Sequence, residues 1–593
     1  MKTEKKPGNS KNPQNWFMYH AGYGHGGNAG AGSPLNSGTV APAGFGLIKS
    51  ISTNGSILSV PAIVDGYIYV GLANSHGAPG SIGGSLQKYD INDGSLVNDF
   101  TWPIDVNDRD SHGFTGMGCT PTVINGFVYF IGFDAKLYCL NQSDLTKVWV
   151  TDLRYGDPDH NQPVTNTAGM SEGYPPAAGW SSPLVVNMTV GGATVTRVFV
   201  GVGEGENPYL CSFIYCLDGA TGNVVWIYCT NQFVEGQPNP VNSIPNPLLL
   251  GNVPPPFTAY NGPILTFGCS VWSAIAYDET TGYIYASTGQ PASPMDAEID
   301  RGLPSIGWSS GVLALHAATG KFVNFTQMPA STAYRPTDLD VDIGSACTIY
   351  TIPAAGGNPA RKVVGVGCKN GGFMICDAKT LKLIQAVSLL PRNNNGTQVA
   401  EIDPHPPVSR ANEINPIISN KVSNANWGEN YFGPFNTAAV DPVTGTLFIG
   451  IGGPNYHNAA PGIDYNTTPF MKAVKWDTLQ DAWPKDSANP PRYKNVGASM
   501  YTNPGESGLS SPAVVNDVVF VSTSNVGIYA YKVTDGTLLW SDTMGNQTLG
   551  FNGGYGYCMG PAIWGSYVVA GALIAGLNGG VLNIYGLKTT QAG

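Results

Sequence analysis

Charge is what this sequence has least of. Asp, Glu, Lys and Arg make up 12% of its 593 residues, and 29 basic residues face 40 acidic ones, a formal net charge of −11. Nucleic-acid binding needs a positive footprint that releases counterions, and no basic cluster exceeds the start Met1–Lys6, so that class is disfavoured. Apolar runs such as Val568–Gly576 are far too short to cross a bilayer. Met1–Asn15 shows no apolar core of the kind a secretory leader has. No long stretch repeats its apolar residues every 3.6 positions, which argues against amphipathic helices. The ten cysteines are scattered, with neither a CxxC pair nor a CxxCH haem-attachment motif. Several, such as Cys139, Cys216 and Cys376, fall in apolar strand runs and read as buried thiols.

Glycine and proline are abundant instead: 77 Gly and 45 Pro form about a fifth of the chain, among many aromatic and β-branched residues. This is the composition of many short strands. A degenerate tag recurs, clearest at Cys216-Leu-Asp218-Gly-Ala-Thr-Gly222-Asn-Val-Val-Trp226 and at Tyr531-Lys-Val-Thr-Asp-Gly536-Thr-Leu-Leu-Trp540. Weaker copies stand at Gln87–Gly94, Leu137–Trp149, Leu315–Gly320, Ile375–Thr380 and Lys475–Trp483, with a truncated one at Asn583–Gly586. Each follows a paired-strand pattern, as in Ser511–Ser522, where Asn516-Asp517 breaks an alternating apolar run. The repeat predicts an all-β, eight-bladed β-propeller over residues 16–593, after a flexible segment 1–15, with a Trp closing each blade against the next. The last half-blade needs a partner strand, expected from the segment between Asn15 and Val70, which would close the ring without free edges. Long insertions at Gly156–Gly179, Asn231–Cys269, Pro291–Ser310 and Arg392–Phe432 are expected on one face, at the mouth of the central channel.

These tags resemble the repeats of the pyrroloquinoline-quinone (PQQ) dependent alcohol dehydrogenases, in particular the branch like polyvinyl-alcohol dehydrogenase, from Trp16 to Tyr585. The resemblance implies PQQ and a Ca²⁺ or lanthanide ion as cofactors. Glu206, with Glu204 as the alternative, matches the acidic metal ligand, and a carboxylate suits a hard cation. Trp272, in Cys269-Ser-Val-Trp272, matches the tryptophan that stacks on the quinone, and Ser270 lies in the same cofactor-binding stretch. Ser287-Thr-Gly289-Gln290-Pro291 resembles a metal loop in which the family has Asn where Gln290 stands.

Asp338, Asp340 and Asp342 alternate, which puts three carboxylates on one face of an extended segment. By resemblance, either Asp340 or Asp342 is the general base and one of them ligates the metal. Lys369, in Cys368-Lys-Asn-Gly371, matches the cation that contacts the quinone oxygens. Many family members cover PQQ with a disulfide between adjacent cysteines; here the matching region Gly116–Pro121 holds Cys119 alone.

The implied activity is oxidation of an alcohol, secondary or polymeric, with electrons passed to an external cytochrome or quinone, in the periplasm or outside the cell. The alternative is a propeller that has lost its cofactor and serves as a binding or assembly module.

Overall fold

The structure is a computed structural model. It describes residues 14–30, 32–74, 84–102, 115–153, 179–203, 212–230, 267–289, 291–292, 310–328, 343–368, 372–389, 436–451, 470–483, 494–495, 510–523, 527–542, 560–574 and 579–588. Among these, the one helical element is a single 3-10 turn at Tyr19–Ala21.

Eight antiparallel sheets of four strands each form the ring, the first also carrying the short strand Thr115–Gly116. Blade 1 runs Ala62–Val64, Tyr67–Asn74, Gly84–Asp90, Leu96–Trp102, and blade 3 runs Leu184–Val190, Ala193–Val202, Phe213–Asp218, Val224–Cys229. Blades 2 and 4 to 7 open on Thr122–Ile124, Ala276–Asp278, Thr348–Ile352, Ala439–Asp441 and Ala513–Val515. These first strands are the inner ones: Ala62–Val64 lies against both Thr122–Ile124 and Ala562–Trp564 of blade 8. Third strands, such as Phe213–Asp218, are buried on both faces because a neighbouring blade covers each side. First and second strands meet at two-residue turns in blades 1 to 3, 7 and 8 and at longer ones in blades 4 to 6. Both central residues have positive φ in Asp65-Gly66 (53° and 84°) and Asn125-Gly126 (56° and 82°), the geometry that Asx-Gly pairs favour.

The tag explains how blades dock. Asp218 Oδ1 accepts the amide protons of Ala220 and Thr221, which fixes the turn between third and fourth strands. On the fourth strand, Trp149 Nε1 donates to Gly219 O of the next blade (3.2 Å), and Trp226 Nε1 donates to Ala317 O (3.0 Å). Gly222 sits at φ 75°, and a Cβ there would lie 2.7 Å from the Trp149 ring, so only glycine fits the turn beneath the indole.

The expectation of a tryptophan in every blade is corrected here. The register position of Trp149 and Trp226 is Asn98 in blade 1, Asn324 in blade 4 and Gln385 in blade 5. Their amides donate to Asp144 O, Thr380 O and Thr478 O, again in the following blade. What recurs is a side-chain N–H donor rather than an indole, because a turn carbonyl accepts equally from either.

Blade 8 is closed by the N-terminal strand Phe45–Thr53, paired with Gly579–Leu587. Phe45 meets Trp540 of blade 7 edge-on at 4.9 Å. The Asn15–Tyr19 end of the predicted segment does not join this sheet; it runs to the axis, where Trp16, Met18 and His20 are buried.

His25, also on the axis, has its pKa pulled down from 6.5 to about 3, first by burial and then by His20. Because the folded value is the lower one, the neutral ring's contribution is complete above pH 6.5 and is lost as pH falls toward 3. Between pH 7 and about pH 4.5 the wild type is expected to lose about 2 kcal/mol more unfolding free energy than His25→Gln. Urea titrations of both proteins at the two pH values check this, and equal losses would refute it.

Antiparallel order places the two-residue turns and the tag turns at one end of the ring, the turn face. Second-to-third connections and those between blades leave from the opposite end, the loop face. All four predicted insertions join strand ends at the loop face, and nearly all of their length lies outside the described residues.

Candidate functional site

Small polar residues introduce the inner strands. Three positions ahead of the strand stand Ser59, Cys119, Ser181, Ser273, Ser345, Asn436 and Ser510 in blades 1 to 7. In several blades this side chain extends the ladder to the second strand. Ser345 Oγ donates to Gly367 O (3.0 Å) and accepts Gly367 N–H (2.7 Å), and Asn436 bonds both backbone groups of Gly450. Cys119 does the same: its Sγ donates to Ile131 O (3.3 Å) and accepts from Ile131 N (3.4 Å). Burial pushes this thiol up to about 12, so it stays neutral.

One residue further on, hydroxyls bridge neighbouring blades. Thr120 N–H donates to Ser182 Oγ (2.9 Å), Ala346 N–H to Thr437 Oγ1 (3.0 Å), and Thr437 N–H to Ser511 Oγ (3.0 Å). The hydroxyls of Ser59 and Thr120 are buried without a hydrogen-bond partner. Each orphan costs about 1–3 kcal/mol unless something on the axis meets it.

Trp272 stands one residue ahead of Ser273 on the loop face, half-buried. A local ladder positions it: Gly268 pairs with Pro291, and Gly289 N–H donates to Ser270 O (2.8 Å). Both neighbours of Gln290 are therefore paired to the stretch Gly268–Ser270, although Gln290 itself lies outside the described residues. Cys269 adopts φ 53° beside the tryptophan, a conformation that costs a non-glycine residue of order 1–2 kcal/mol and that concentrates at functional sites.

Trp180 is a further tryptophan at this face, one that no repeat tag marks. It occupies in blade 3 the position of Trp272 in blade 4, and Ser181 Oγ donates to Ser273 O (2.9 Å), so the two tryptophans flank one interblade bond. Trp180 is half-buried and packs on Phe133 with ring centroids 4.5 Å apart. The parallel Gly-Trp-Ser-Ser-Pro and Val-Trp-Ser-Ala was the signal available in the chain.

Glu204, Glu206, Asp340, Asp342 and Lys369 lie outside the described residues. Their flanking strands are described. Glu206 falls between the second and third strands of blade 3, Asp340 and Asp342 between blades 4 and 5, and Lys369 between the second and third strands of blade 5. Every one of these connections leaves from the loop face, as do those holding Ser270, Trp272 and Gln290. Cys119 stands apart from them in blade 2. Among the described residues no group of three His, Cys, Asp or Glu side chains could hold a metal.

No protein-family model matches the chain. It is 24% identical over 589 residues to the dehydrogenase subunit of an alcohol dehydrogenase (quinone) from Gluconobacter oxydans, covering 90% of this chain and 68% of that protein. A 1-butanol dehydrogenase (cytochrome c) from Thauera butanivorans is 23% identical over 293 residues, 45% of this chain and 39% of that protein. The chain is thus similar in sequence to quinone-dependent alcohol dehydrogenases. Those enzymes are oxidoreductases. Solved structures agree on the fold. A quinohemoprotein alcohol dehydrogenase from Pseudomonas putida superposes with TM-score 0.66 at 17% identity, over 97% of this chain and 80% of that one. A europium-containing methanol dehydrogenase gives 0.64 at 16%, over 97% and 99%. No helix among the described residues is long and apolar enough to cross a membrane.

Proposed function

We propose that this quinoprotein oxidises an alcohol, secondary or polymeric, to the carbonyl compound with PQQ and a Ca²⁺ or lanthanide ion, and passes the electrons to an external cytochrome or quinone. We place it in the periplasm or outside the cell. What supports the reading is that Trp272 and the described strand ends flanking Glu206, Gln290, Asp340, Asp342 and Lys369 stand at the loop face of three consecutive blades. The relatives named above oxidise alcohols, and one carries cytochrome c in its name.

The residues present fit a flat, oxygen-rich quinone. Trp272 offers a half-buried indole for stacking, and the partnerless hydroxyls of Ser59 and Thr120 can donate to its oxygens. Glu206, Gln290 and one of Asp340 and Asp342 would hold the cation through oxygen. When bound, PQQ supplies the two-electron acceptor for the hydride of the alcohol carbon. Asp340 or Asp342 takes the hydroxyl proton, and Lys369 contributes positive charge beside the acceptor oxygens. Ser270 holds the Trp272 stretch in register through Gly289. Cys119, with its thiol bonded inside blade 2, contributes the wall rather than a contact by sulfur.

Reconstitution tests this. Purified protein with PQQ plus Ca²⁺, and separately plus a lanthanide, is expected to show quinone absorbance and alcohol-dependent dye reduction. Trp272→Ala is expected to weaken quinone binding by at least about 10-fold, the loss of a stacking partner and its buried area. No binding with either metal would leave the non-catalytic module as the reading. Unchanged binding by Trp272→Ala would overturn the assigned site.

A further inference from the structure

The inner strand of every propeller blade has a free edge, whose N–H groups face the axis and need partners. In this chain a glycine-rich stretch of its own N-terminus supplies them. The amide protons of Ile63, Val123, Tyr277, Ile349, Val440 and Val514 each come from the second residue of an inner strand. They are donated to the carbonyls of Trp16, Phe17, Tyr23, Gly24, Gly26 and Gly27 at 2.7–2.8 Å. Six blades are thus tied in chain order to twelve consecutive residues. The remaining two are also reached. Met18 packs into the core formed by Leu184 and Val186 of blade 3, and Trp564 Nε1 of blade 8 donates to Asn15 Oδ1 (3.2 Å).

The composition of the stretch follows from this geometry. A Cβ on Gly24 would lie 3.1 Å from Ile349 O, and one on Gly27 would lie 2.4 Å from the His20 ring and 2.9 Å from Pro512 O, at φ 57°. His20 pins the fold-back, its Nδ1 2.7 Å from His25 O and its Nε2 2.7 Å from Pro512 O. The half-buried Tyr19 bonds Thr437 Oγ1 (2.9 Å) and Ser511 Oγ (3.0 Å) through its phenol, two of the hydroxyls that bridge blades 5, 6 and 7.

We propose that Trp16–Ala29 is an axial plug that closes the channel at the turn face, so that small molecules reach the axis only from the loop face. Tyr19 joins the plug to the hydroxyls that bridge blades 5, 6 and 7. The plug satisfies inner-strand edges and excludes water whether or not a quinone is bound, so it stands apart from the assignment of the cofactor.

Hydrogen exchange and hydroxyl-radical footprinting on the full chain test it. In the wild type, the six inner-strand amides are expected to exchange as slowly as those of the third strands, and Met18 and Tyr19 to resist oxidation. Gly27→Val is expected to raise exchange at Val440 and Val514, and oxidation at Met18, by at least about 10-fold, with the outer strand Leu383–Ser388 unchanged. Tyr19→Phe removes only the hydroxyl, and its faster exchange is expected to be confined to blades 5 to 7. The plug is refuted if wild-type Met18 and Tyr19 oxidise at the rate of exposed residues. It is equally refuted if Gly27→Val folds and matches the wild type in both measurements. Should Gly27→Val unfold, the wild-type pattern and Tyr19→Phe decide alone.

Discussion

Replacing Asp340 and Asp342 together by asparagine is expected to lower the turnover of PQQ-loaded protein by about 10²- to 10⁴-fold, the usual contribution of a general base. The substitution keeps the size of each side chain and removes its ability to take the alcohol proton. In sequence both residues fall in the connection from blade 4 to the inner strand Thr348–Ile352, whose described start is at the loop face, where Trp272 stands. The single variants separate two roles. Loss of the base lowers kcat and flattens the acid limb of its pH profile, since protonated carboxylate cannot accept. Loss of a metal ligand raises the Ca²⁺ or lanthanide concentration needed for reconstitution. A double variant with more than a tenth of wild-type turnover, at saturating metal and quinone, would remove both aspartates from the mechanism.

Trp226→Ala is expected to destabilise the ring by about 3–5 kcal/mol, the range for deleting a large buried aromatic. Trp226 is 2% exposed and sits in the joint between blades 3 and 4, beside Phe199 at 5.7 Å between ring centroids. Its indole also donates to Ala317 O (3.0 Å), so truncation leaves both a cavity and a buried carbonyl short of a partner. The same position in blade 4 makes the control. Asn324→Ala removes the equivalent bond to Thr380 O from an exposed side chain and is expected to cost about 1 kcal/mol or less. Urea-induced unfolding followed by circular dichroism measures both. Equal effects at the two positions would mean that the hydrogen bond, not the packing, holds the blades together.

The tag at Asp218–Trp226 could be read directly because its constraints are local. An Asp that caps its own turn and a glycine at positive φ leave marks within five residues. A tryptophan in every blade does not follow from the tag, since Asn98, Asn324 and Gln385 replace the indole N–H with side chains that look ordinary in a polar turn. Cys119 illustrates the limit for site residues. Its place ahead of an inner strand is visible only once seven blades are aligned in space, and there it is equivalent to Ser345 and Asn436, which extend the ladder. Trp180 differs, since the parallel of Gly179-Trp-Ser-Ser-Pro183 with Val271-Trp-Ser-Ala274 stands in the sequence itself.

Repeat number, strand order and the one-sided distribution of long connections were therefore determined by the sequence alone, through turn chemistry and the two-residue period of strands. Three things were decided only by tertiary structure: which N-terminal stretch completes blade 8, which one runs to the axis, and which small polar residues face partners across blades. These depend on contacts between residues as far apart as Phe45 and Leu587 or Gly27 and Val514, for which no local pattern exists. Phe45–Thr53 alternates enough to pair as a strand, whereas Tyr19–Gly30 carries too many glycines to hold a sheet. It settles where backbone must approach the backbone of four blades.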